Sequence, residues 1–514
     1  MESLRLQSTQ KADKIVELAK RRGFFWPSYE IYGGLSGFLT FGPLGTVLKR
    51  RIEDKFRDFY VRPLGILEIE SSVILPSKVF EASGHVEHFK EPMIECTQCH
   101  RKFRADHLLQ EQAGMTDTET ERLSLTELKN QIETHDVHCP ECGGSLGEPK
   151  FFMTMFATTI GPYSDAVGYG RPEAAQSIFV EFRRLWELAR ERLPFGVVQI
   201  GHALRNEISP RQGPIRLREF TIMDVEYFFD PENPNCAPLK DVENENLNLI
   251  LAEAKLKGEK EPLTVTVREA IDKGYIKADW QAYFMALAKR FLNGLGVPDE
   301  KQRFIEKLEW ERAHYSTQSF DQEIYLERWG WTEVSGHAYR TDYDLKSHMQ
   351  ASGVDMRAFK EGNRFLPHVV EPSFGSDRLV YVAVEYAFQP KKDRVLLSLP
   401  RQLAPFQVGI YPLVSKDGLP EKAMQVYQTL IKEGFTAEYD ESGSIGRRYA
   451  RADEAGTPLG VTIDYLTMKE DTVTIRDRDS WKQVRTPISQ LPELLRAYFF
   501  HKKEIEDLGQ LVQH

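Results

Sequence analysis

QIGHALRNEISPRQGPIRLREFTIMDVEYFF, residues 199–229, sets small and charged side chains in an alternating order. Read as an extended strand over 197–207, it sends successive side chains to opposite faces. Gln199, Gly201, Ala203, Arg205 and Glu207 then share one face, and Val198, Ile200, His202 and Leu204 form a packing surface on the other. Small residues leading to an Arg and a Glu leave open volume beneath two charged groups, the pattern of a ligand floor. After the turn Ser209-Pro210-Arg211-Gln212-Gly213-Pro214 a second alternating run begins at Phe220. Met223, Val225, Tyr227 and Phe229 lie on one side of it, and Phe220, Ile222, Asp224, Glu226 and Phe228 on the other. Two such runs predict an antiparallel hairpin, at whose mouth Arg205, Glu207, Arg216 and Phe220 converge. An ordinary hairpin with a charged outer face shows the same pattern.

The spacing adds a second line of argument. Arg205-x-Glu207, a loop, then Arg216-x-x-x-Phe220-x-x-x-Asp224 resembles the second signature motif of class II aminoacyl-tRNA synthetases. Downstream, His368 to Arg378 reads HVVEPSFGSDR and resembles the third motif of that class. Strand alternation sets Val369, Glu371, Ser373 and Gly375 on one face, and Arg378 falls in the first turn of an apolar helix, where a helix N-terminus favours phosphate. Glu371 and Ser373 stand where other members often carry smaller residues, and Ser376 where an apolar residue is usual. A carboxylate and a hydroxyl there fill space and bind an ammonium group, which points to glycine.

Working upstream, Arg171-Pro172-Glu173 precedes a run with helical periodicity through Ile178, Phe182, Leu185 and Leu188. Glu173 suits a helix start, and the tripeptide is similar to the loop that holds the substrate amino group in glycyl-tRNA synthetases. Ala174 and Ser177 depart from that family's usual threonine and glycine. The passage SKVFEASGHVEHF, residues 77–89, resembles the glycine-specific branch closely. Ahead of it, Leu44, Leu48, Ile52, Phe56 and Phe59 recur at helical spacing, followed by a strand-like run from Ile66 to Leu75 that Pro76 closes. Helix, strand and proline resemble the first class II motif, which in the family forms the dimer interface.

Between these landmarks lie Cys96-x-x-Cys99 and Cys139-x-x-Cys142. Two such turns make a four-thiolate shell of the structural zinc kind, with Leu123 to Ile132 as a helix within the intervening loop. His100, His135 and His138 are near enough in sequence to replace a ligand, and Cys236 is isolated.

After the hairpin, residues 230–329 read as a helical insertion, polar at first and then helical through Trp280 to Leu292. Glu333-Val334-Ser335-Gly336 and Arg340-Thr341-Asp342 resume the core. Pro390-Lys391-Lys392-Asp393-Arg394 reads as a linker, and beyond it strands and helices alternate as in a compact α/β domain. That domain resembles the anticodon-binding domain shared by the glycine, threonine, proline and histidine enzymes. Within it Arg447, Arg448 and Arg451 share a helix face suited to phosphate.

The totals agree with this reading. A chain of 514 residues exceeds one core, and 41% hydrophobic and 11% aromatic content fit a globular protein. No run approaches the ~18 apolar residues of a membrane span, and MESLRLQSTQKADK lacks a signal peptide's apolar centre. A cytoplasmic protein is expected. Net charge is 67 − 77 = −10, which argues against a general nucleic-acid coat but not against a local RNA surface. Five cysteines in a chain of this length do not form a secreted disulfide framework.

The expected fold is α/β: a mainly antiparallel catalytic sheet flanked by helices over 1–394, carrying a zinc knuckle at 90–150, then an α/β anticodon-binding domain over 395–514. The resemblance implies ATP-dependent attachment of glycine to tRNA(Gly) by a homodimer. It assigns Arg205 to the α-phosphate, Arg216 and Arg378 to the outer phosphates, and Phe220 and Glu207 to adenine, with Arg205, Glu207 and Arg378 as the catalytic set. It assigns Glu333 to Mg²⁺, Arg340 to the glycine carboxylate, and Glu173, Glu371 and Ser373 to the ammonium group. Zn²⁺ would sit on Cys96, Cys99, Cys139 and Cys142. The alternatives are a class II enzyme for another small amino acid and a non-catalytic relative that binds RNA or a partner; the latter should lack the ATP arginines.

Overall fold

Strand Phe195–Leu204 pairs antiparallel with strand Glu219–Phe229, Phe195 opposite Phe228 and Leu204 opposite Glu219. The predicted hairpin is therefore present, with Arg205 and Glu207 just beyond the end of its first strand. The computed structural model describes every residue except 1, 121, 163–165, 211–212, 392–393 and 513–514, together with the side chains of 2–10 and 117–118. Arg211 and Gln212 in the predicted turn, and Lys392 and Asp393 in the predicted linker, lie outside the described residues.

The hairpin sits within a nine-stranded sheet. In spatial order this runs Leu263–Thr266, Asn246–Ile250, Gln302–Glu306, Gln318–Leu326, Gly330–Thr341, His368–Gly375, Glu219–Phe229, Phe195–Leu204 and Leu67–Ile69. All pairs are antiparallel except Asn246–Ile250 with Gln302–Glu306 and Leu67–Ile69 with the hairpin. Alternation gives the sheet two different faces. Met223, Val225, Tyr227, Val370 and Phe374 point to the main core, against helices Pro43–Phe56, Asp279–Gly294 and Ser376–Ala387. There Phe374 packs on Phe56 and Phe291 with ring centroids 5.5 and 5.4 Å apart, and Tyr227 lies 4.3 Å from Trp280. The opposite face carries Asp224, Glu226, Glu371 and Ser373.

Three expectations change. The run from Ile66 to Leu75 is two strands: Leu67–Ile69 joins the large sheet, while Ile74–Pro76 pairs with Val167–Gly170 in another. The polar residues between them turn the chain, and Ser71 accepts a hydrogen bond from Arg171 (3.0 Å) at the corner. The helix after Gln176 is broken into Ala175–Phe179 and Phe182–Leu188, both feeding one cluster with Phe195, Val197 and Phe228. Residues 230–329 are not mainly helical. They supply four strands of the nine-stranded sheet and the Asp279–Gly294 helix, eleven of whose side chains are buried. Its apolar residues nearly all round the axis mark a helix inside the core rather than on a subdomain.

The C-terminal part forms a six-stranded sheet, ordered Ala437–Tyr439, Val408–Pro412, Leu459–Ile463, Thr472–Asp477, Gln483–Pro487 and Gln510–Leu511. Helices Leu419–Lys432, Ile445–Ala455 and Leu491–Phe500 accompany it, and it has its own apolar core. It meets the rest through Glu454, which Arg21 and Arg22 both reach at 2.5 Å.

Candidate active site

Strand register sets out the site. Gln199 lies opposite Asp224, Asp224 opposite Ser373, Ser373 opposite Gly336 and Gly336 opposite Asp321, a continuous row across five strands. Over this row opens a cleft of about 690 Å³, lined among others by Glu173, Arg205, Arg216, Glu333, Ser373 and Arg378. A Cβ at Gly336 or Gly375 would meet no atom within 4 Å, so these glycines do keep the floor open. Gly201 does not: a Cβ there would stand 2.5 Å from Arg171 Nη2. The space expected for a ligand above Gly201 is filled by that buried guanidinium.

At one end the cations gather. Arg205 donates to the Pro172 carbonyl (3.1 Å), and its guanidinium lies 5.4 Å from the Phe220 ring centre. Arg216 donates to Glu207 (2.8 Å), and Arg378 donates to the carbonyls of Ile215 (3.0 Å) and Glu333. The Arg378 guanidinium, at the start of the Ser376–Ala387 helix, is held below its usual range by burial. Glu333 projects into the cleft. Desolvation opposes its charge, yet Lys307, Arg378, Arg205 and Arg216 hold its carboxyl below the usual range. Asp321, 3.0 Å from Lys307, is pushed up to about 7 by burial and by Glu333. Two carboxylates crowded in this way, both lining the cleft, fit a Mg²⁺ ion that is otherwise bound by phosphate and water.

The other end is acidic. Arg340 is 0% exposed and donates to Asp344 through two nitrogens (2.8 and 2.9 Å), to Glu371 (2.9 Å) and to Glu173 (3.4 Å). The Tyr315 ring covers it at 3.6 Å, and the Tyr315 hydroxyl reaches Glu173 at 3.3 Å. The resemblance assigns Arg340 to the amino-acid carboxylate; here carboxylates of the protein enclose it, Glu173 and Glu371 among them. Glu173 also accepts from Gln176 (3.0 Å) and lies 3.3 Å from His85 Nε2. Although burial opposes its charge, His85 and Arg340 hold it well below the usual carboxylate range. Asp224 accepts from the Ala174 backbone N–H (2.7 Å) and from the Ser373 hydroxyl, and burial lifts it to about 6. Burial, with Glu173 and Asp224 adding to it, pushes Glu371 up to about 8 despite Arg340, which is shared among several acids. Neither carboxyl oxygen of buried Glu226 has a hydrogen-bond partner, and desolvation raises it well above its usual value. This crowd of carboxyls around a single guanidinium attracts a small cation, and an ammonium group fits it.

The structure thus brings together Glu173, Arg205, Glu207, Arg216, Phe220, Glu333, Glu371, Ser373 and Arg378 along one cleft. Sequence reasoning missed Lys307, Tyr315, Asp321, Asp344, Gln176 and His85. Asp344 stands only four residues after Arg340, where the strand Gly330–Thr341 passes into the helix Tyr343–Ser352. Gln176 follows Glu173 by three residues and His85 lies in the 77–89 passage, whereas Lys307, Tyr315 and Asp321 come from segments far from these motifs in the chain.

The four paired cysteines converge away from the cleft. Their sulfurs all lie within 4.8 Å of one another, with Cys96 to Cys142 at 3.5 Å and Cys99 to Cys139 at 3.6 Å. Four sulfurs about 2.3 Å from a tetrahedral zinc ion stand about 3.8 Å apart, so the set fits zinc. Backbone N–H groups of Gln98 and Cys99 aim at Cys96 Sγ from 3.4 and 3.5 Å, which favours the thiolate. No histidine joins the cluster among the described residues. Cys139→Ser is expected to lower zinc content from about one ion per chain towards zero, measured by native mass spectrometry.

One expectation in the C-terminal part is corrected. Arg448 is buried and donates to the carbonyls of Pro412, Glu441 (2.6 Å) and Gly443 (2.7 Å), and Arg451 pairs with Asp440. Of the three arginines on that helix face, Arg447 is the exposed one.

Comparison with known proteins is consistent across sequence and fold. Residues 407–498 match the family described as anticodon binding domain. A glycine–tRNA ligase of Aeropyrum pernix is 45% identical, covering 98% of this chain and 99% of the relative. Those of Methanocaldococcus jannaschii and Thermococcus gammatolerans are 41% and 43% identical over 94% and 96% of the chain. Among solved structures, Giardia lamblia prolyl-tRNA synthetase in complex with prolyl-adenylate has a TM-score of 0.57 at 14% identity, covering 95% of this chain and 75% of that one. That likeness shows a class II synthetase fold. With near-full-length relatives at this identity, and the cleft just described, the chain belongs to the glycine–tRNA ligase family.

Proposed function

We infer that the protein activates glycine with ATP and transfers it to the 3′ end of tRNA(Gly). The observation that carries this reading is the two-ended cleft over one row of strand register, with arginines at one end and a carboxylate cluster at the other. A glycine carboxylate oxygen attacks the α-phosphorus, the bond to the bridging oxygen breaks, and pyrophosphate leaves. A terminal ribose hydroxyl of the tRNA then attacks the adenylate carbonyl, loses its proton, and AMP departs. Such chemistry needs positioning and charge neutralisation more than a protein nucleophile. Arg205 would hold the α-phosphate, Arg216 and Arg378 the outer phosphates, and Phe220 and Glu207 the adenine. Mg²⁺, when bound, neutralises phosphate charge, and Glu333 with Asp321 would hold it. Glu173, Glu371 and Ser373, aligned by Arg340 and Asp224, would take the ammonium group.

Residues 1–394 form the catalytic part in this reading and 395–514 the part that reads tRNA, in a cytoplasmic homodimer. The helix and strand that resemble the family's dimer segment support the dimer. Exchange of labelled pyrophosphate into ATP, measured with each amino acid in turn, tests the whole reading. Glycine alone should support exchange. Exchange with alanine instead would show the acidic end misread, and none with any amino acid would favour a binding protein.

The position of Glu371 adds a pH prediction. Lifted to about 8, it carries a proton for much of the time at neutral pH. An arriving ammonium group favours the carboxylate, so the proton leaves as glycine binds. Up to about one proton should be released per glycine near pH 7, and affinity should rise from about pH 6.5 to about pH 8.5. Calorimetry in buffers of different ionisation enthalpy measures both, and the absence of release would remove Glu371 from the ammonium site.

A further inference from the structure

The cysteine module touches the nucleotide end of the cleft through a chain of ions. Its strands Lys90–Glu95, Lys102–Arg104 and Lys150–Met153 form one sheet, and Ile94, Cys96, Phe103, Leu108 and Cys139 share its core. Thr154, just after the last strand, accepts from the Asn206 backbone N–H (2.7 Å), in the middle of the Arg205-Asn206-Glu207 corner. Beside this bond Arg104 donates to Glu91 (2.6 Å) and to Asp106 (3.1 Å). Glu91 also stands 3.8 Å from Arg216, which donates to Glu207 at 2.8 Å. The order is therefore Arg104, Glu91, Arg216, Glu207. A cavity of about 90 Å³ in the seam is lined by Phe103, Arg104, His107, Leu108, Glu207 and Arg216 among others, so the contact there is ionic rather than close-packed.

We propose that Arg104 is a positioning residue for ATP: by neutralising Glu91 it leaves Arg216 free to face Glu207 and the phosphates, tying the cysteine module to nucleotide affinity. The physical argument is competition for one guanidinium. The Glu91 side chain is largely buried, and its second carboxyl oxygen has no hydrogen-bond partner. A partly buried carboxylate without its closest cation seeks another. Without Arg104 the nearest is Arg216, which would move towards Glu91 and away from Glu207. Arg104 itself does not line the large cleft, so its effect runs through Arg216.

This inference rests on the proposed function only in taking the arginine end as the ATP site. The test is ATP binding by calorimetry without glycine, alongside KM values for ATP and glycine in pyrophosphate exchange. Arg104→Met should weaken ATP about tenfold, within the usual range of coupling between sites, and leave the glycine KM within about twofold. Arg104→Lys should restore part of the loss. Adding Glu91→Gln to Arg104→Met removes the competing charge and should bring ATP affinity most of the way back. A purely structural Arg104 would show no such rescue, since the double variant removes more contacts than the single one. Wild-type affinity in Arg104→Met overturns the inference, and so does a loss that Glu91→Gln fails to relieve or an equal rise in both KM values. If the wild-type protein binds no ATP, the reading of the cleft falls and the inference with it.

Discussion

Arg205→Ala is expected to lower glycine-dependent pyrophosphate exchange by at least about a hundredfold while the protein stays folded. The guanidinium stands where the hairpin's first strand ends, held by the Pro172 carbonyl and facing Phe220. Its fixed position means that no reorganisation is needed as negative charge builds on the α-phosphate. In a cleft partly shielded from water such a charge is worth about 3–4 kcal/mol to the transition state. The substitution removes no hydrophobic core, because Arg205 is half-buried and belongs to none of the apolar clusters. The thermal transition should therefore shift little. Near-normal exchange in this variant would refute the role given to Arg205, and unfolding would show that its bond to Pro172 is structural.

Arg340→Met is expected to act on stability as much as on activity. The side chain is fully enclosed and faces Asp344, Glu371 and Glu173. Removing it strands those acids in a buried site, at a cost of about 3–5 kcal/mol near neutral pH. The sign with pH follows from linkage. In the variant the buried carboxyls titrate above their unfolded values, so their contribution is intact at low pH and lost as pH rises through the raised folded values. In the native protein Glu173 does the reverse, since it is held well below its usual range and contributes stability above its unfolded value. The gap between variant and native melting temperatures should thus be wide near pH 7.5 and narrower near about pH 5. A gap independent of pH would mean that packing under Tyr315, and not charge, is what Arg340 supplies. Glycine affinity should fall in the same variant, because Glu173 and Glu371 lose the group that aligns them.

Much of the fold was legible because its signals are local. Strand alternation has a period of two residues, so Met223, Val225, Tyr227 and Phe229 could be assigned to one face without knowing what lay behind them. The helix Ile445–Ala455 likewise carries local marks, with Ser444 before it and Gly456 after it at its ends. Residues 230–329 were misread for the complementary reason. The Trp280 to Leu292 run is strongly helical, whereas Asn246–Ile250 and Leu263–Thr266 are short strands of mixed polarity that become strands only through pairing with the sheet.

The sequence by itself determined the family resemblance and, through it, the candidate set. Arg205, Glu207, Arg216, Phe220, Glu371, Ser373 and Arg378 were named by that resemblance and the fold gathers them along one cleft, while the paired cysteines carry their own tetrahedral logic. Only the tertiary structure decided what each charged group faces. It filled the space over Gly201 with Arg171, enclosed Arg340 in acids, buried Arg448 among carbonyls and set Arg104 against Glu91 beside Arg216. The physical reason is that these outcomes depend on registers and approaches between segments far apart in sequence. An arginine beside a carboxylate and an arginine awaiting a phosphate look alike until the fold chooses the neighbour.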